Sequence, residues 1–335
     1  MNQLKSEPRI VVIGGGTGLS VMLKGLKKYT SNLTAVVTVT DDGGSSGRLR
    51  SELGVLPPGD IRNCLVALAE TETLMDKVFQ HRFNAGDGLQ GHNLGNLLLV
   101  ALTDIAGDFV SAIREVSKVL KVRGQVLPAT LEYVTLGATM RDGTTVIGET
   151  SIRRHDQKIE RVFLVPEQCM PVPETLEAIW QADAIILGPG SLYTSIIPNL
   201  LVHGVVSAIE QSNAVTCYVS NIMTEKGETD DYSAADHLRV ILEHLGKQII
   251  DYVIVNSGSI DEERLKRYRQ EDARPVRTAS NEIRAMGMRL IEEDLVSDTD
   301  VAWHEPDKLA QVIIDIIKSH KERNIRSMTF RGNKR

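Results

Sequence analysis

The stretch Ile10-Val11-Val12-Ile13-Gly14-Gly15-Gly16-Thr17-Gly18-Leu19 decides the fold. Its opening run of β-branched residues reads as a strand buried on both faces, the environment of a parallel sheet covered by helices. The glycines let the chain turn sharply, and from Leu19 to Lys28 the pattern is helical. The same rhythm recurs further along. Short apolar runs at Thr34 to Thr40, Ala184 to Leu187, Val215 to Ser220 and Tyr252 to Asn256 each end in Gly, Asp or Ser, and helical pattern follows. The expected fold is α/β, a doubly wound and mainly parallel sheet of Rossmann-like kind.

Two stretches interrupt that rhythm. Thr71 to about Val122 is helical in pattern, and Leu131 to Val165 alternates, with Asp142-Gly143 between β-formers predicting a hairpin. Together they read as a small helical and β insertion at about 71–165 in a single domain spanning 1–330, with 331–335 a flexible basic tail. The mixed charges from Asp261 to Arg289 predict a solvated helix and loop. Within them Tyr268 reads first as a surface aromatic, with stacking on a pyrimidine ring as the other reading.

Composition narrows the function. The chain has 335 residues, a net charge of −6 and only 4% aromatic residues, so neither a basic nucleic-acid surface nor a base-stacking platform is expected. Its three cysteines, Cys64, Cys169 and Cys217, are scattered, which predicts neither a disulfide framework nor a CxxC site. No secretory leader is expected from the opening residues, and no run reaches the roughly 18 apolar residues of a membrane span, so membrane insertion is not expected. The predicted location is the cytoplasm.

Phosphate is the natural partner of the first loop. Gly15, Gly16, Thr17 and Gly18 offer backbone N–H groups at a helix N-terminus, whose dipole favours an anion. The strict dinucleotide pattern GxGxxG fails because Leu19 stands where the third small residue belongs, so NAD-dependent redox chemistry ranks last. The loop Asp41 to Arg50 follows the second predicted strand and should face the same crevice. It brings Asp41 and Asp42, able to bind a hydroxyl or Mg²⁺, with Gly44, Ser45 and Ser46 as donors and Arg48 or Arg50 for phosphate. Asp60 reads as a helix N-cap or a site residue, and Arg62 and Asn63 stand on the first turn of that helix. His92 and Asn93 open another helix, with an imidazole that caps or titrates. From the second half come Gly188, Gly190, Ser191, Thr194 and Asn199, then the polar strand-end loop carrying Asn221 and Thr224.

Taken together, Gly14 to Ser20, Asp41 to Arg50, Pro58 to Asn63, Gly91 to Leu97, Gly188 to Ser195 and Asn221 to Asp230 resemble the bacterial gluconeogenesis-factor (YvcK) family. That family shares a CofD-like fold with the 2-phospho-L-lactate transferases. The resemblance implies a cytoplasmic protein that binds UDP-sugars such as UDP-N-acetylglucosamine. It also implies a role in normal cell shape during growth on gluconeogenic carbon, without implied catalysis. The transferase branch implies a different outcome: transfer of a phospholactate unit to a deazaflavin, with Asp41, Asp42 and Asp60 as candidates to hold Mg²⁺ and a guanosine nucleotide leaving. NAD and GDP stay open as alternative ligands, as do a homo-oligomer and regulatory protein partners.

Overall fold

The computed structural model describes residues 7–70 and 74–332. Seven strands form one parallel sheet: β1 (Ile10–Gly14), β2 (Leu33–Val37), β3 (Gln125–Pro128), β7 (Ala184–Leu187), β8 (Val215–Val219), β9 (Tyr252–Asn256) and β10 (Arg289–Glu293). Their order is β10-β9-β8-β7-β1-β2-β3, so the chain moves outward one way from β1 and later resumes beside it at β7. The switch point lies between β1 and β7, where Ile13 registers with Leu187. In open α/β sheets, ligands bind outside the carboxyl ends of the strands at such a point.

Each face of the sheet has its own core, as the β-branched runs predict. Along β1, Val11 and Ile13 point into one cluster, shared with the helices Ile197–Leu201, Val205–Gln211 and Ala234–Leu245. Ile10 and Val12 point into the other, shared with Gly16–Leu26, Gly59–Leu68, Phe109–Leu120 and the last helix, Pro306–Gly332. Strand residues such as Ile186 and Val219 are wholly buried.

The Asp-Gly hairpin forms as expected. It joins β4 (Thr135–Met140) to β5 (Thr145–Ile147), and with β6 (Ile159–Val165) these make a three-stranded antiparallel sheet in the order β5-β4-β6. Leu136, Ala138, Val162 and Leu164 bury this small sheet in the first cluster. The helix Glu149–Arg153 follows β5 and lies close to the switch-point crevice.

Four boundaries differ from the sequence reading. The second strand ends at Val37, because Thr38 and Thr40 turn to share a hydroxyl hydrogen bond of 3.0 Å. The first helix begins at Gly16, since the glycine loop is itself the first turn. Residues 125–128 fall inside the stretch read as an insertion, yet they form an edge strand of the main sheet beside β2. A run that short, ended by proline, carries little strand signal, and an edge is where a sheet tolerates proline. The last helix continues through the basic stretch read as fraying from Arg323 and as a tail from residue 331; residues 333–335 lie outside the described residues.

Candidate functional site

The first loop is shaped by what presses on it. A Cβ on Gly15 would stand 2.7 Å from Asp60 Oδ2, and one on Gly18 would stand 2.9 Å from the carbonyl oxygen of Pro189 in the loop after β7. Glycine is therefore required by close approach at both places. Asp60 does not cap its own helix, whose N-cap is Pro58; its Oδ2 instead accepts the backbone N–H of Gly16 at 2.7 Å.

Around this loop opens a cavity of about 450 Å³, a size common for small-molecule sites. Gly15 to Gly18, Gly190 and Ser191 line it, at the N-terminal end of the helix Gly16–Leu26. Tyr268, Trp303 and His304 also line it. Tyr268 is half-buried there, and its hydroxyl accepts the N–H of Ala302 at 3.0 Å, so this aromatic is tied to the segment around Ala302 while keeping part of its surface exposed. The His304 ring donates to the Ser220 carbonyl, burial holds its pKa down at about 4, and Nε2 has no partner. At neutral pH that nitrogen is an acceptor.

Part of the lining is a hydrogen-bonded chain. Gly190 N donates to Asn221 Oδ1 at 3.1 Å, Asn221 Nδ2 to Glu225 Oε1 at 2.9 Å, and Ser191 Oγ to Glu225 Oε2 at 2.5 Å. Thr194 Oγ1 donates to the buried Glu228 Oε1 at 3.1 Å. Arg153, reaching in from the small sheet's helix, stands 3.3 Å from Glu228 and 3.9 Å from Glu225. Burial pushes both glutamates toward the protonated form, Glu228 further because Glu225 is beside it.

Behind the loop the crevice is acidic. Burial raises Asp60 to about 6, with help from the charge of Asp41 and against the Gly16 N–H. Asp41 is raised as well, chiefly by burial. Glu149 rises to about 9, first through burial and then through the charges of Asp41, Glu228 and Asp60. At neutral pH Glu149 is a neutral donor, and Asp60 is mostly ionised.

These features can be set beside known proteins. The family model for 2-phospho-L-lactate transferase CofD matches residues 10–296. The gluconeogenesis factor of Bacillus subtilis (strain 168) is 51% identical over 313 residues, covering 93% of this chain and 99% of its own. The chain belongs to the gluconeogenesis-factor family. The gluconeogenesis factor of Halalkalibacterium halodurans is also 51% identical, over 91% of this chain and 95% of its own. A crystal structure of a UPF0052 family member from Bacillus halodurans superposes with a TM-score of 0.89 at 50% identity, over 92% of this chain and 99% of that one.

In this gluconeogenesis-factor chain the residues expected in the site divide into two groups. Gly15, Gly16, Thr17, Gly18, Gly190, Ser191, Asn221 and Thr224 line the cavity. Asp60 and Thr194 stand just behind it, through the contacts given above, and Asp41 Oδ1 accepts the N–H of Gly43 at 2.9 Å within its own loop. The rest are engaged in the frame. Asp42 Oδ1 accepts both the N–H and the hydroxyl of Thr150, at 2.9 and 2.6 Å, which docks the small sheet. Gly44 starts the helix Gly44–Leu53, Ser46 Oγ accepts Gly59 N, and Arg48 donates to the Gln90 carbonyl.

Ser45, His92, Asn93, Asn96, Arg62 and Asn63 form one buried network. His92 Nδ1 meets Ser45 Oγ at 3.1 Å, and Arg62 donates to Asn96 at 2.8 Å and Asn63 at 2.6 Å. Asn93 caps its helix by accepting Asn96 N. Asn199 is wholly buried and donates to the carbonyls of Gly14 and Ser195, while Gly188 N continues the sheet bond to Ile13. Arg153, Glu149, Glu225, Lys226, Glu228, Trp303 and His304 were not singled out from sequence. Only Glu225, Lys226 and Glu228 lie inside a quoted polar block, whose charge was the available signal.

Among the described residues, no group of three or more His, Cys, Asp or Glu side chains is arranged to hold a metal ion. Of the carboxylates expected to hold magnesium, Asp42 Oδ1 accepts from Thr150 and Asp60 Oδ2 from Gly16. Nor is any single helix among the described residues long and apolar enough to cross a membrane.

Proposed function

We propose that the cavity binds a UDP-sugar of the UDP-N-acetylglucosamine type, and that the protein acts in the cytoplasm as a regulator of cell shape during gluconeogenic growth. The observation that carries the reading is that one cavity is lined by the glycine loop at a helix N-terminus and by two aromatic side chains. The helix N-terminus and the N–H groups of Thr17 and Gly18 suit a diphosphate, with Arg153 as its cation. The Tyr268 and Trp303 rings in the same cavity suit a base. Neutral Glu149 lowers the repulsion that an ionised carboxylate would exert on a diphosphate.

Isothermal titration calorimetry of the purified protein against UDP-N-acetylglucosamine, GDP and NAD tests this. A micromolar to low-millimolar Kd for the UDP-sugar, tighter than for GDP or NAD, is expected; binding of GDP or NAD in preference to it would overturn the reading.

A transferase reading is favoured by one observation, the protonatable carboxyls of Asp60 and Glu149 beside the phosphate loop. Turnover with a deazaflavin acceptor, lost in Asp60→Asn, would establish it in place of the regulator.

A further inference from the structure

A second cavity, of about 720 Å³, lies behind the first helix. Lys24, Lys27 and Lys28 from the end of that helix, and Lys77 and His81 from the segment after Leu74, converge on it over a floor that includes Val66 and Ala69. Of these, Lys27 is already engaged, donating to the Ala69 carbonyl at 2.5 Å. Three carboxylates also line the cavity, from Asp76, Glu305 and Asp307. Glu305 is engaged by the N–H of Lys308 at 2.6 Å, and Asp307 by Lys28 at 2.5 Å. Lys24 and Lys77, in contrast, have no hydrogen-bond or ion-pair partner among the described residues.

The two cavities share their walls. The first helix lines the ligand cavity with Gly16 to Gly18 and Val21, and the second with Lys24. The segment 302–307 does the same: Ala302, Trp303 and His304 line the first, and Glu305, Pro306 and Asp307 the second. Helix and segment meet without slack, since a Cβ on Gly25 would fall 2.0 Å from the Pro306 carbonyl oxygen. Packed backbones of this kind shift together.

We propose that the second cavity is an effector site for a small phosphorylated metabolite, held by Lys24 and Lys77 and coupled to the ligand cavity through the first helix and the segment 302–307. Lysine suits this task because a mobile ammonium meets a phosphate of any orientation. Coupling follows if the occupied site draws the end of the first helix toward the Pro306 segment, because the glycine loop and His304 move with them.

Inorganic pyrophosphate is the probe, titrated calorimetrically into the full chain, into Lys24→Gln/Lys77→Gln, and into Arg153→Gln, which weakens the first cavity instead. The double variant replaces exposed side chains and is expected to keep the wild-type melting temperature. Support is a binding event weakened at least tenfold in the double variant and retained in Arg153→Gln. Equal binding in the double variant and the wild type, loss of all binding in Arg153→Gln, or no binding to the wild type at 10 mM pyrophosphate would each overturn the site. In the Arg153→Gln background, pyrophosphate should also slow amide hydrogen exchange across Gly16 to Val21 at least twofold, and Lys24→Gln/Lys77→Gln added to that background should abolish the slowing; unchanged exchange, or slowing that persists without the two lysines, would overturn the coupling. Neither measurement uses a UDP-sugar, so failure here is distinct from failure of the proposed function.

Discussion

The carboxylate of Asp60 accepts the backbone N–H of Gly16 at 2.7 Å, joining two positions 44 residues apart at the mouth of the phosphate loop. A negative charge placed at a helix N-terminus stabilises the helix, yet it also occupies part of the field that an incoming phosphate would use. Because Asp60 titrates at about 6, affinity for an anionic ligand should fall as pH rises through that value. Asp60→Asn keeps an acceptor oxygen and loses the charge. At pH 7.5 it should bind the anion roughly 3- to 10-fold more tightly than wild type, with little gain at pH 5, where wild-type Asp60 is already protonated. Calorimetry at the two pH values checks this, and equal ratios at both would show that Asp60 acts only as a structural acceptor.

Glu149 gives a stability prediction with a definite sign. Its carboxyl is raised to about 9 in the folded chain, from the ordinary value near 4.5, so between these values the native state holds more protons than the unfolded one. Stability contributed by the protonated carboxyl is present below about pH 4.5 and is lost as pH rises toward 9. Glu149→Gln removes that slope. The variant should match wild type near pH 5 and exceed it by on the order of 2 kcal/mol at pH 9, read as a melting-temperature difference that grows with pH. A constant difference across the range would assign the effect to packing.

Much of this arrangement is legible in the sequence, and what is not has a physical reason. The β-branched runs and the glycines at their ends locate β1, β7, β8 and β9, because a doubly buried strand needs unbroken apolar residues and a crevice loop needs free backbone. Gly15 to Gly18, Gly190, Ser191, Asn221 and Thr224 follow directly. Arg153 and Glu149 do not, because they belong to the five-residue helix Glu149–Arg153 beside a peripheral sheet, and only the docking of Asp42 on Thr150 carries them to the switch point. Tyr268 sits on a helix with no buried residue, so its local sequence signals solvent; the Ala302 N–H that fixes its hydroxyl is 34 positions away. His92 and Arg62 carry the reverse lesson. Polar residues at a helix start look like ligand contacts, but here they satisfy one another in a buried network.

That docking is itself testable. Asp42→Ala removes the acceptor for the first turn of the helix Glu149–Arg153, a contact of the N-capping kind that contributes about 1 kcal/mol, and loosens the small sheet on the crevice. The expected result is a fall in melting temperature of a few degrees, with faster hydrogen exchange confined to β4, β5 and Glu149–Arg153. Uniform loss of protection across the main sheet would place Asp42 in the global core instead.

Arg153 separates electrostatics from shape. Its guanidinium is the cation facing Glu225 and Glu228, at distances longer than a bidentate pair, which leaves donors for a phosphate. Arg153→Gln should weaken a diphosphate ligand by roughly 10- to 100-fold, the loss expected for one charge-assisted contact. It should also weaken inorganic pyrophosphate in the first cavity, because the lost contact is to phosphate. Tyr268→Ala reports the aromatic part of the cavity: about a 5- to 100-fold loss for the UDP-sugar, from stacking worth roughly 1–3 kcal/mol per base, with no change for pyrophosphate. Tyr268→Phe keeps the ring but drops the hydroxyl that holds Ala302, and should retain most of the affinity. If Tyr268→Ala and Arg153→Gln weakened pyrophosphate and UDP-sugar alike, these two residues would not divide base from phosphate, and the orientation assigned to the nucleotide would be wrong.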